Sequence, residues 1–274
     1  MQDSEKKDMA FVDHLEELRW HIIRSVIAVL VVTIVAACFM DFIFHDILLA
    51  PARTDFFTYQ FMCGLDKALC IEKIDLNLQN RTMAGQFNMH IVASFITGLV
   101  FAFPYIVWEF WRFIKPGLHM VERKYASGAV SFVTTLFAIG IVFGYYIVTP
   151  LSVNFLINYK LSPEISNIID ISEYVTFICM LVIGSGLMFQ LPVIIYILTR
   201  IGVVGPSFLR RYRRHAIVGI FILAAIVTPS PDLLTQTVVG IPLYILYELS
   251  IFVSAIVEKA KMKGTYSKGN VSYN

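Results

Sequence analysis

Along this chain, long apolar runs alternate with short polar ones, and the run lengths limit what each can be. A helix rises 1.5 Å per residue and the hydrocarbon core of a bilayer is ~30 Å thick, so a crossing helix needs roughly 20 apolar residues. Runs 22–40, 89–108, 126–149 and 174–199 have that length, the last with Gln190 and Pro192 inside it. Run 233–257 is a fifth and contains Pro242 and Glu248. Run 216–227 is short, since a helix of its length reaches only about 18 Å. Segment 41–85 is the one long loop. No internal repeat, low-complexity tract or Gly/Ser linker divides the chain, so a single domain over 1–274 is expected.

Before the first run the pattern changes. Phe11, Leu15, Leu18 and Ile22 recur at intervals of four, three and four, a narrow apolar stripe that predicts an amphipathic helix over 1–21 lying along a membrane surface. At 100° per residue, Asp13, Glu17 and Arg24 share the opposite side, with Trp20 and His21 close by. Glu17 therefore points away from lipid. The plain alternative is a solvated face with weak Glu17–His21 pairing, worth ~0.2–0.5 kcal/mol.

Charge decides whether run 216–227 crosses. With six crossings, the N-terminus and segments 109–125, 200–215 and 258–274 share one side, which then holds Arg19, Arg24, Arg112, Lys115, Arg123, Lys124, Arg200, Arg210, Arg211, Arg213, Arg214 and the terminal lysines. The other side keeps only Arg53, Lys67, Lys73, Arg81 and Lys160. Five crossings would put the RRYRRH cluster and the lysine-rich tail on opposite faces, against the positive-inside rule. The expected fold is thus an all-α integral membrane protein of six transmembrane helices. Both termini are expected to be cytoplasmic, with 258–274 as a cytoplasmic tail. Such a short fifth helix is expected to thin the bilayer around it.

Composition agrees with this and removes other classes. Apolar residues make up 57% of the chain and charged residues 15%, and mean hydropathy is +0.71, beyond what a soluble domain can hide. A net charge of +2 does not point to nucleic acid, and neither an RNA-binding aromatic pattern nor a zinc spacing is present, so no nucleic-acid partner, metal or cofactor is expected. Residues 1–20 are polar and no small-residue cleavage site follows the first run, so the first span is expected to act as its own insertion signal.

The loop after the second run, WEFWRFIKPGLHMVERK over 108–124, places a Pro116-Gly117 turn between aromatic and charged segments. Glu122 stands there almost alone among cations. On a face dominated by basic residues, Glu17 and Glu122 offer carboxylates to an arginine-bearing ligand, whose guanidinium fork pairs with a carboxylate through two parallel bonds. Lysine fits such a site less well.

Taken together, HLEELR at 14–19, FIKPGL at 113–118 with Glu122-Arg123, FQLP at 189–192, and TPSPD at 228–232 followed by Gln236 resemble the signature segments of TatC, the multispan subunit of the twin-arginine protein translocase. The resemblance covers nearly the whole chain in order. It implies a single bundle with a concave face and short fifth and sixth helices, a receptor in a bacterial cytoplasmic (inner) membrane. Such a receptor binds the twin-arginine signal peptides of folded cargo at the cytoplasmic face. It also implies membrane lipid as surroundings, an oligomeric complex with single-span TatA/TatB-type subunits, and transport driven by the proton-motive force.

By that resemblance Glu17 and Glu122 contact the arginine pair and Phe113 helps form the surface, with His14 and Arg19 in the same segment. Gln190 stands where many relatives carry a glutamate, and an amide cannot titrate. Asp232, Gln236 and the start of the sixth span are implied in contacts with partner helices. Pro51 is implied in ordering the outer loop.

Other positions have their own readings. Glu248 is the one carboxylate deep in a predicted span, about 14 Å from its cytoplasmic end, which makes a functional role the default and a protonated structural role the alternative. Asp232 equally suits a helix cap after Pro229 and Pro231. His90 reads as a hydrogen-bonded interface residue. Gly140 and Gly144 form a GxxxG, a frequent chance match in apolar helices. Cys38 and Cys179 read as packing residues, whereas Cys63 and Cys70 share the outer loop, where an oxidising compartment would keep a disulfide between them.

Two rivals remain. A secondary transporter of small solutes would use Glu248, Gln190 and His90, but the repeated halves common in that class are absent. An enzyme would need catalytic residues the chain lacks, since neither HExxH nor GxSxG occurs.

Overall fold

The computed structural model describes residues 2–65, 78–114, 126–159, 162, 168–227 and 233–269; for 2–15, 65, 126, 127, 129, 227, 233–235 and 260–269 it describes the backbone alone. Its helices, in chain order, are α1 (Gln2–Cys38), α2 (Phe57–Leu65), α3 (Gly85–Ile114), α4 (Ala126–Phe143), α5 (Thr149–Asn158), α6 (Ile171–Met188), α7 (Leu191–Ile201), α8 (Pro206–Arg211), α9 (Arg213–Val227) and α10 (Leu233–Gly269). Strands β1 (Leu78–Gln79) and β2 (Ile169–Asp170) pair in parallel. Among the described residues five stretches are long and apolar enough to cross a bilayer: Glu16–Cys38, Gly85–Ile114, Val130–Asn158, Ile171–Ile201 and Gln236–Lys259. The remaining expected span, run 216–227, corresponds to α9, whose 15 residues reach about 22 Å.

Several boundaries differ from expectation, each for a local reason. The surface helix and the first span are one uninterrupted helix, because nothing between Phe11 and Ile22 breaks helical geometry. The third span runs on from α4 through a π turn, Gly144–Val148, into α5. Within this turn the Thr58 hydroxyl donates to the Tyr146 carbonyl. The fourth span is broken at Phe189-Gln190 ahead of Pro192. Segment 41–85 is expected as a loop but contains α2, a second π turn at Ile43–Leu48 and β1.

By its contacts the chain forms two compact units, each described by itself. The first comprises Met1–Ala50, Asn77–Thr135 and Ile168–Cys179, and its centre is the seam between α1 and α3. Residues buried on α3 fall in two stripes, Gly85, Met89 and Ala93 over its first turns and Ser94, Gly98, Ala102 and Glu109 along the rest. At Gly98 a Cβ would lie 2.8 Å from the Thr33 Cα, so only glycine allows this approach. Beside the seam α1 exposes Ile22, Val26, Leu30 and Ile34, the apolar surface a helix shows to lipid.

At the far end of this unit, the Asp170 carboxylate caps α6 by accepting from the Ser172 N–H at 2.8 Å, and its other oxygen accepts from the Arg81 N–H at 2.9 Å. The Tyr174 hydroxyl donates to the Leu48 carbonyl at 3.1 Å. These bonds tie three chain segments together.

The second unit comprises Pro51–Leu76, Leu136–Asn167 and Met180–Asn274. Here the GxxxG, which reads as a chance match in sequence, is a real contact. A Cβ on Gly140 would sit 2.8 Å from the Gly186 Cα, and one on Gly144 would sit 2.8 Å from the Ser185 Cβ. Further along, α7 packs on α10 with the Thr199 and Ser254 hydroxyls 2.9 Å apart, an interhelical bond of the kind worth ~0.6–2 kcal/mol in membranes. Helix α7 ends at Gly202, whose φ of 90° suits the left-handed cap that closes a helix. The Tyr59 hydroxyl lies 3.0 and 2.9 Å from the Pro51 and Pro150 carbonyl oxygens, and burial raises its pKa.

The Arg81 and Ser172 amides hold the Asp170 carboxyl below its ordinary range. A carboxylate with a depressed folded pKa stabilises above its unfolded pKa of about 3.9 and loses that contribution as pH falls through the folded value. We expect Asp170→Asn to lower thermal stability at pH 7 and to reduce the further loss on acidification, measured by unfolding of detergent-solubilised protein between pH 3 and 7. Parallel curves for wild type and variant would contradict this role.

Candidate functional site

Glu17 and Glu16 both lie on the exposed side of α1, but their surroundings differ. Arg19 donates to Glu16 at 3.4 Å, and its guanidinium lies 5.8 Å from the Trp20 ring centre. Glu17 makes no hydrogen bond or ion pair with any described residue. Arg19, the cation nearest to it in sequence, is thus directed elsewhere, which leaves a carboxylate available to a ligand.

One turn further along, the structure corrects the expectation that His21 joins this polar face. His21 is only 7% exposed and Glu109 only 1%, and His21 Nδ1 pairs with Glu109 Oε2 across the α1–α3 seam. The Tyr105 hydroxyl donates to the other oxygen, Oε1, at 2.9 Å. The weak Glu17–His21 pairing does not form, because a buried carboxylate needs a partner far more than an exposed one does.

Sequence reasoning misses Glu109 because the apolar run ends the second span at Trp108, whereas α3 continues to Ile114. The signal is nonetheless there. Gly98, Ala102, Ile106, Glu109 and Phe113 follow one another at steps of three or four, so Glu109 belongs to the packing stripe. Glu248 is therefore not the one carboxylate within a spanning helix.

Phe113 occupies the last turn of α3, half-buried, with its ring 6.0 Å from that of His21 and the planes 63° apart. Beside it runs a groove of about 500 Å³ between α1 and α3, lined by Leu18, Ile22, Val26, Phe95, Phe110 and Phe113 among others. Glu17, Arg19 and Phe113 thus belong to the same end of one helix pair. Glu122, Asp232 and Cys70 lie outside the described residues, as does the side chain of His14.

The remaining predicted residues belong to other places. Glu248 is not alone in its helix: Arg213, the first residue of α9, donates to Oε2 at 2.7 Å, and the Tyr244 hydroxyl lies 3.2 Å from Oε1. Gln236 donates from Nε2 to the Phe221 carbonyl at 2.8 Å, joining α10 to α9. Gln190 occupies the break between α6 and α7. Pro51 is buried and its carbonyl accepts from Tyr59. His90 is half-buried and, contrary to expectation, makes no hydrogen bond with a described residue. Cys63 is disulfide-bonded, while Cys38 and Cys179 are free thiols. Among the described residues no three His, Cys, Asp or Glu side chains converge.

Comparison with known proteins decides the family. The family model described as Sec-independent protein translocase protein (TatC) matches residues 13–242. The chain belongs to the TatC family. A relative from Blattabacterium sp. subsp. Periplaneta americana, "Sec-independent protein translocase protein TatC", is 41% identical over 265 residues, covering 94% of this chain and 99% of that one. TatCy of Bacillus subtilis is 33% identical, covering 96% of each chain. A solved structure, "Crystal Structure of Twin Arginine Translocase Receptor- TatC", superposes with a TM-score of 0.71 at 30% identity, over 89% of this chain and 99% of that one. The protein is therefore a multispan component of a Sec-independent protein translocase. The stretch matched by the TatC model includes Glu17, Phe113, Glu122, Gln190 and Gln236 and stops short of Glu248.

The Arg213–Glu248 pair yields a prediction of its own. Both side chains are partly exposed, 46% and 32%, which discounts the pair to about 1 kcal/mol. In a double-mutant cycle with Arg213→Gln and Glu248→Gln, thermal unfolding should show the single losses failing to add by roughly that amount. Strict additivity would mean that the two groups do not interact.

Proposed function

We propose that this protein is the receptor subunit of a twin-arginine translocase, binding the paired arginines of signal peptides on folded cargo at the cytoplasmic end of α1 and α3. The observation that carries this reading is the exposed Glu17 carboxylate, without a partner among the described residues, next to a cation held by Glu16 and on the same helix pair as Phe113. A guanidinium arriving on another chain finds an open bidentate acceptor there. In this reading Glu122 supplies the second carboxylate, Phe113 the apolar wall, and His14 and Arg19 border the site. The likeness to a solved twin arginine translocase receptor supports it.

The same reading takes α9 as a sixth, short crossing, so that both termini and the arginines of 210–214 share the cytoplasmic side of a bacterial cytoplasmic membrane. Single-span TatA/TatB-type subunits assemble on the chain through the region of Asp232 and Gln236, with Pro51, Gln190 and Glu248 serving assembly or transport rather than peptide recognition. Transport is driven by the proton-motive force. The disulfide at Cys63 closes on Cys70 and stiffens the outer loop.

Glu17→Ala and Glu122→Ala should each weaken binding of a synthetic Arg-Arg signal peptide about tenfold, since a charge-assisted hydrogen bond contributes ~1.5–3 kcal/mol, while a Lys-Lys peptide binds weakly throughout. Fluorescence anisotropy on protein in nanodiscs reads this directly, and unchanged affinity in the double variant would remove the site. Peptide mapping without reductant should recover Cys63 and Cys70 in one cross-linked fragment; two free thiols in natively expressed protein would refute the bridge.

A further inference from the structure

Beneath the proposed recognition surface lies a buried polar contact that arginine binding does not itself use. His21 and Glu109 are almost fully enclosed, and both carboxylate oxygens are engaged, one by His21 Nδ1 and the other by the Tyr105 hydroxyl at 2.9 Å. Arg24 is the further charge acting on Glu109. The imidazole is thus fixed by its nitrogen and sets its ring against Phe113 at 6.0 Å.

On its other side Phe113 borders the open groove of about 500 Å³ that His21 also lines. Without the imidazole, the phenyl ring has apolar space to fall into. Glu17 precedes His21 by four residues, about 6 Å along the axis, so whatever fixes His21 on α3 also fixes the offset between Glu17 and Phe113.

We infer that His21 and Glu109 are positioning residues for signal-peptide recognition, acting through Phe113 and through the register of α1 on α3. This rests on the receptor reading of Glu17 and Phe113. The pair does not touch the peptide. It holds an acidic and an aromatic side chain, on two different helices, at one separation that an arginine-bearing segment can bridge.

The test uses the full-length protein in nanodiscs with fluorescent Arg-Arg and Lys-Lys signal peptides, and follows thermal unfolding in parallel. His21→Ala should weaken Arg-Arg binding about tenfold and shrink the Arg-Arg to Lys-Lys ratio. His21→Asn, which keeps a nitrogen donor near the place of Nδ1, should recover part of the loss. Combined with Phe113→Ala, His21→Ala should cost little more than either change alone, the signature of action through Phe113. If His21→Ala does not fold, Tyr105→Phe carries the test: it removes one bond to Glu109 and should weaken Arg-Arg binding two- to threefold. Wild type that distinguishes the peptides while a folded His21→Ala binds as wild type, or adds fully to Phe113→Ala, overturns the positioning role alone. Wild type that fails to distinguish the peptides overturns the receptor reading and this inference with it.

Discussion

A carboxylate enclosed between two helices at the edge of a membrane has no water to turn to, and Glu109 meets that constraint with His21 and Tyr105. Removing charge from water costs several kcal/mol per ion, and partners repay it only when their geometry is good. Once Glu109 is buried, α1 and α3 have one acceptable register. The exposed Glu17 and the half-buried Phe113 take their places from that register. A surface carboxylate is then placed by a buried one, although the two share no contact.

Elsewhere in both units, large apolar side chains such as Ile178, Leu181 and Leu243 fill the core, while several of the closest helix contacts rely on small residues and hydrogen bonds. Gly98 against Thr33, Gly140 against Gly186 and Gly144 against Ser185 bring backbones within reach, and Thr199–Ser254 and Gln236–Phe221 add hydrogen bonds across helices. Lipid tails are as apolar as leucine, so burial alone gains little between helices, and tight packing with internal polar contacts adds to it. The π turn shows the same economy of backbone groups, its Tyr146 carbonyl accepting from the Thr58 hydroxyl.

This inversion explains how the chain reads and misreads. Every expected span except run 216–227 appears as a helical stretch with crossing length, because span length and hydropathy are local properties of the sequence. The TatC resemblance is legible for the same reason, since its signature segments are short and ordered. The placement of His21 fails because the side of the helix away from the apolar stripe is not all solvated. Ile22 is exposed, and the packing seam runs instead through His21, Val29 and Ala36. In a membrane protein a polar residue can mark the inside.

The amino-acid sequence alone determined the class, five long apolar stretches and the family, together with Glu17 as a candidate acceptor, because each rests on composition or on spacing within one segment. Tertiary structure decided which charges meet: Glu109 with His21 over 88 intervening steps of chain, Glu248 with Arg213 over 35, and the glycine seams. Those pairings depend on how far each helix extends and how neighbouring helices rotate about their axes. Helix rotation is settled by packing against another segment, and no single segment encodes it.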